Sequence, residues 1–259
     1  FYLTFNRNWP ESIPGSVINM PNPIKFVEHL NTITPTSTHE LPENVPELVS
    51  TNGQKRYFIG WSLTADGEPL ENDEVPLNVF TALSGYNWDG QDRYGKTVFA
   101  VWSTEPFAVE YEENFSDPSL VTDMPEDEPE LPYSAVRRGY RIPDNRPQAP
   151  GCTFALWRIN YTDRNGDIKT QSILPGRTLS MLYFRSSTQK VIANAQWNKN
   201  FAVVYDCGGN TDGTLVTATS DKTFTVNWNS TQTDYRIDRK SASRTAHTFV
   251  GWSGEPDSN

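Results

Sequence analysis

The sequence predicts a mainly β (α+β) chain made of small modules in series, each a mixed sheet with at most one short helix. Three observations predict it. The word "FIGWS" at 58–62 returns as "FALWR" at 154–158 and "FVGWS" at 249–253, placing Trp61, Trp157 and Trp252 at intervals of 96 and 95 residues. A second tryptophan, Trp102 in "TVFAVWS" and Trp197 in "VIANAQW", repeats at an interval of 95. The third marker opens each unit: "FYLTF" at 1–5, "FAVEY" at 107–111 and "FAVVY" at 201–205 put aromatic, aliphatic and aromatic residues at i, i+2 and i+4, one side of a strand. A structural word is copied when a module is copied, because each copy has a core to close. The expected modules are 1–104, 105–198 and a truncated third at 199–259.

In the first module, 17–20 and 24–30 are apolar enough to pair, and Pro-rich stretches within 6–57 mark an insertion of about ten residues relative to the other units. "RYFIGWSL" is the central strand, with Tyr57, Ile59 and Trp61 expected on one side. It runs into a turn at Asp66-Gly67. "DEVPLNVFTAL" at 73–83 is expected to be a short helix or a loop and strand, with helix favoured. "SGYNWDGQDRYG" at 84–95 is a turn-rich loop before the closing strand. The second module repeats the order: "CTFALWRINY", a turn at Asn165-Gly166, "IKTQSIL", a single helical turn in "PGRTLSMLYF", then "KVIANAQW". The third offers strands "TLVTATS" and "TFTVNWN".

Composition narrows the classes. Aromatics form 12% of the chain, so large rings are expected to build the small cores. The net charge is −10 and the basic residues never cluster, which argues against a nucleic-acid partner. No apolar run is long enough for membrane insertion, and the chain reads as a piece of a longer protein. The acidic stretch between Glu105 and Glu130 is expected to be a solvated linker and hairpin.

The opening [FY]-x-[LV]-x-[FY] strand, the central [FY]-x-G-W word before an acidic and glycine turn, and a closing strand ending in A-x-W resemble the Listeria–Bacteroides repeat, related to the internalin B-repeats of bacterial surface proteins. The motifs are "FIGWSLTADGEP" with "VFAVWS", "FALWRINYTDRNGD" with "IANAQW", and "FVGWSGEPDS". Gly60-Trp61 and Gly251-Trp252 keep the Gly-Trp pair, whereas Leu156 precedes Trp157. The resemblance implies tandem β-grasp-like modules serving as a stalk or adhesion region at the cell surface or in a secreted protein. It implies no catalytic residue and no cofactor. The partner it implies is an unidentified host or microbial surface protein or glycan.

The residues agree that no enzyme is expected. His29, His39 and His247 are scattered, and no metalloprotease, nucleophile-elbow or phosphate-loop motif occurs. Asp163, Asn165 and Asp167 imitate the first ligands of a calcium loop, but Ile168 and Leu174 stand where that loop needs Gly and Glu, so a hairpin turn is expected and no metal site. Cys152 and Cys207 fall in different modules and are read as thiols rather than an inter-module disulfide. Lys96, Lys190 and Lys222 precede strands and are read as solvated, not as isopeptide donors. Five aromatics lack a repeated counterpart: Trp9, Tyr86, Trp88, Tyr94 and Trp228. Tyr86, Trp88, Asp89 and Tyr94 form the alternative reading, a carbohydrate-binding platform, against the structural reading of Trp61, Trp102, Trp157, Trp197 and Trp252 as core.

Overall fold

The chain is seen in a computed structural model that describes residues 1–9, 13–28, 32–71, 73–83, 94–163, 165–185, 188–205, 216–217, 222–231 and 243–244. It is mainly β, with several small mixed sheets. The first half comprises β1 (Tyr2–Asn6), β2 (Gly15–Ile18), β3 (Ile24–Lys25), β4 (Thr38–Glu40), β5 (Glu47–Ser50), β6 (Tyr57–Ser62), β7 (Glu74–Pro76), β8 (Thr81–Ala82) and β9 (Tyr94–Ser103). The second comprises β10 (Phe107–Glu112), β11 (Glu128–Leu131), α1 (Tyr133–Val136), β12 (Tyr140–Arg141), β13 (Cys152–Thr162), β14 (Ile168–Ile173), β15 (Thr178–Leu179) and β16 (Lys190–Val203). Beyond them lie β17 (Val216–Thr217), β18 (Lys222–Val226) and β19 (Ser243–Arg244).

Both halves are organised around the same three strands. The opening strand lies parallel to the closing strand, β1 on β9 and β10 on β16, and the tryptophan-word strand lies antiparallel to the closing strand, β6 on β9 and β13 on β16. The registers coincide. Leu3 faces Lys96 and Val109 faces Val191 in the parallel pairs. Phe58 faces Trp102 and Phe154 faces Trp197 in the antiparallel pairs, while Trp61 faces Ala100 and Trp157 faces Ala195. Parallel neighbours need a long crossover, and the chain between opening and closing strands supplies it.

The tryptophan word encodes a bulge. Pairing shifts between Phe58 and Gly60, and again between Phe154 and Leu156, so one extra residue stands in each word strand. The bulge corrects the expected alternation. Phe58 and Trp61 are both buried, while Tyr57 and Ile59 are only partly so, because the inserted residue moves both rings onto the core face. The expected helix at 73–83 is instead β7, a 3-10 turn at Leu77–Val79 and β8. Val75 and Pro76 suit an extended chain there. The helical turn expected in "PGRTLSMLYF" is a 3-10 turn at Met181–Phe184, capped by the Ser180 hydroxyl, which accepts from Leu182 N at 3.3 Å.

Two differences appear at the joints. The chain turns between Ser103 and Phe107, but β16 runs unbroken from the second closing strand into the third opening word. There Phe201 is 45% exposed, whereas its counterpart Phe107 is 1% exposed. Buried apolar residues form one cluster running from Leu3 and Trp61 in the first half to Trp157 and Trp197 in the second.

Candidate functional site

Each half closes on an aromatic ring cluster of the same layout. In the first, Trp61 meets Phe5 at 5.0 Å and Phe58 at 5.1 Å, and Phe58 meets Trp102 at 5.8 Å. In the second, Trp157 meets Tyr111 at 5.2 Å and Phe154 at 5.0 Å, and Phe154 meets Trp197 at 5.8 Å. All but the Phe154–Trp157 pair, which is tilted at 56°, meet edge to face, matching the positive ring edge to the negative ring face. A fifth ring completes each set: Trp9 on Trp102 at 6.3 Å and Phe115 on Trp197 at 5.7 Å. Trp9, expected to have no counterpart, therefore has one in Phe115.

The closing tryptophan is held by its polar edge as well. Trp102 Nε1 donates to Arg7 O at 2.9 Å, and Trp197 Nε1 donates to Glu113 O at 2.8 Å. The next residues, Asn8 and Asn114, adopt left-handed conformations with φ of 43° and 44°. Asparagine tolerates this region because its amide can bond locally. Four of the sequence-selected tryptophans, Trp61, Trp102, Trp157 and Trp197, are thus core or core-edge residues. Trp252 and the third tryptophan word lie outside the described residues.

Tyr86, Trp88 and Asp89 also lie outside the described residues. Tyr94 belongs to β9, where its half-buried ring stacks on Phe1 at 5.5 Å. Asp163 closes the β13–β14 hairpin: its Oδ1 accepts from Asn165 N and Asp167 N, both at 2.9 Å. Partial desolvation opposes ionisation there, but those amides and Lys169 hold the Asp163 carboxyl below the usual range. Among the described residues no group of His, Cys, Asp and Glu is placed to hold a metal. Lys190 pairs with Glu110 across β10 and β16. Cys152 begins β13 half-buried, while Cys207, His29 and His247 are outside the described residues. His39 stacks on Phe26 at 3.8 Å, and burial lowers its pKa against the pull of Glu28 and Glu40.

Two further features join the halves. The first is a buried latch. α1 is one helical turn, so Tyr133 and Arg137 at i and i+4 share a face, and that face meets the first half. Tyr133 packs on Phe58 at 4.8 Å and donates its hydroxyl to Asp73 Oδ1. Arg137 Nε stands 3.0 Å from Asp73 Oδ2, an ion-pair distance off the line of a hydrogen bond, and both side chains are about 95% buried. Its Nη atoms donate to Pro42 O and Leu41 O at 3.2 and 3.3 Å. Burial pushes the Asp73 carboxyl up to about 6 against the opposing pull of Arg137 and Arg185. Arg185, from the second half, also donates to Ile59 O at 3.0 Å and Leu70 O at 2.6 Å, binding the backbone at the first bulge.

Arg185 explains a departure within the repeated word. Gly60 has φ of +140°, and a Cβ there would sit 3.0 Å from Pro69 Cβ and 3.1 Å from Arg185 Nη1. The first bulge needs glycine because an arginine approaches it. Leu156, at the matching position, lies outside the positive-φ region and carries a side chain.

The second feature is a cleft of about 780 Å³ between the halves. Trp9 and Trp102, the Asp66–Glu68 turn, Arg185 and Asp163 of the second hairpin line it. No signal in sequence singled it out, since its walls come from positions up to 181 residues apart, Asn8 to Gln189.

The chain matches no family model, no curated protein and no solved structure. The likeness to the Listeria–Bacteroides repeat therefore rests on the quoted motifs alone.

Proposed function

We propose that this chain is a non-catalytic region of tandem β-grasp-like modules in a bacterial cell-surface or secreted protein, acting as a stalk or adhesion segment. The observation that carries it is the second ring cluster, which reproduces the first in strand register, bulge position and tryptophan anchoring. Residues that repeat at this level of detail serve a module's core. The core shared across the first joint and the Asp73–Arg137 latch would keep successive modules from swinging, as a stalk requires. The reading supports no cofactor. Its location is tested with antibody raised against this chain, applied to intact and to permeabilised cells of the source bacterium. Labelling of intact cells, or recovery from the medium, is the expected result. A signal confined to permeabilised cells overturns the surface assignment.

A further inference from the structure

The cleft between the halves has a one-sided chemistry. Both indole N–H groups are already used, Trp102 on Arg7 O and Trp9 on Ile13 O at 3.0 Å, so neither ring offers the cleft a donor. The rings stand nearly perpendicular, at 83°, forming a corner rather than a flat platform. Two nearby donor groups are engaged as well. Asn8 Nδ2 bonds Ala65 O at 2.6 Å and Ala100 O at 3.0 Å, and the Arg185 Nη atoms bond Ile59 O and Leu70 O. Thr162 and Gln189 also line the cleft, and the three carboxylates of Asp66, Glu68 and Asp163 outnumber its one cation, Arg185. Asp66 and Glu68 are exposed on the turn and form no ion pair with any described residue, while Asp163, on the second hairpin, lines the same cleft with Lys169 Nζ 3.4 Å from its Oδ2.

An acid-rich cleft lined by two indoles, with two unpaired carboxylates on its turn, suits a ligand with donors and positive charge. Guanidinium and ammonium groups supply donors only and are attracted to ring faces. The volume lies within the roughly 300–1,000 Å³ of small-ligand sites, enough for a side chain and its flanking backbone. We propose that this cleft binds a basic side chain, arginine or lysine, presented on a peptide segment of a partner protein. The proposal deepens the adhesion half of the preceding reading by naming a partner chemistry, and the stalk assignment stands apart from it.

The test uses the whole chain labelled with 15N at its tryptophans. The indole N–H signals of Trp9 and Trp102 are assigned from the Trp9→Phe and Trp102→Phe variants. The probe is the capped peptide Gly-Gly-Arg-Gly-Gly, with the same peptide carrying citrulline, which keeps the shape and loses the charge, and with maltopentaose. Saturable shifts of those two signals are expected with the arginine peptide, with a Kd on the order of 1 mM or tighter for an exposed site. The affinity should fall about tenfold or more in an Asp66→Asn/Glu68→Gln variant, whose exposed positions leave folding intact. Equal shifts with citrulline overturn the role of charge. Shifts with maltopentaose alone make the cleft a sugar site, and no shift with any probe at about 10 mM overturns it as a binding site.

Discussion

Asn8 and Asn114 occupy the same position in the two halves: each is left-handed and donates its side-chain amide to an alanine carbonyl of the closing strand, Ala100 O at 3.0 Å and Ala195 O at 2.9 Å. Each therefore turns the chain out of the opening strand and ties that turn to the closing strand, beside the anchored tryptophan. Asn114→Ala should destabilise by about 2 kcal/mol, about half from the left-handed backbone and half from the lost hydrogen bond. Asn114→Gly should cost about 1 kcal/mol, since glycine accepts the backbone. Urea denaturation of the three proteins checks the order, and equal losses for Ala and Gly contradict it.

The two tryptophan words should respond differently at one position. Gly60→Ala should cost about 1–3 kcal/mol, because the new Cβ meets Pro69 and Arg185 in a strained backbone. Adding Arg185→Ala to Gly60→Ala should then cost less than it does in the parent chain. A double-mutant cycle by thermal or urea denaturation reads this, and simple additivity would mean that Arg185 does not press on the bulge.

Much of this was legible in sequence. The 95-residue period, the opening strands and both tryptophan strands follow from aromatic spacing alone. The bulge did not, although Phe58 and Trp61 at i and i+3 could have signalled it: two core rings at an odd spacing share a face only if a residue is inserted. Trp9 was set apart because its counterpart is Phe115, and an aromatic exchange hides a shared role. "FNRNW" and "YEENF" held the Asn8–Asn114 match in plain view, but left-handed asparagines look like ordinary loop residues. Asp73, Arg137 and Arg185 carry no local pattern, because they meet only after the two halves pack. The cleft is hidden for the same reason.

The latch should make stability depend on pH. Asp73 has a folded pKa of about 6 against an ordinary value of 3.8, so protonation favours the folded state. This contribution is full below about 3.8 and is lost as pH rises through about 6. Relative to Asp73→Asn, the parent chain should gain up to about 3 kcal/mol of stability between pH 7.5 and 4, other carboxylates cancelling in the comparison. Parallel denaturation curves across that range check it, and a constant difference between the two proteins contradicts it.

Removing the cation has the opposite character. Arg137→Ala should cost about 3–5 kcal/mol at pH 7.5, since it leaves the Asp73 carboxylate buried without its counter-charge. The loss should shrink at pH 4, where Asp73 is neutral. Calorimetric unfolding at both pH values measures it, and a pH-independent loss would assign Arg137 to packing alone.

Because the two ring-centred halves share one buried core, their unfolding should be a single step. It is tested most directly by 19F spectra of the 5-fluorotryptophan chain during urea unfolding, with Trp61 and Trp157 assigned by substitution to Phe. Both rings are buried in their own clusters, so each reports its own half. The two signals should disappear together in the parent chain and separate in Arg137→Ala. Separate transitions in the parent chain, with Trp61 and Trp157 lost at different urea concentrations, would contradict it.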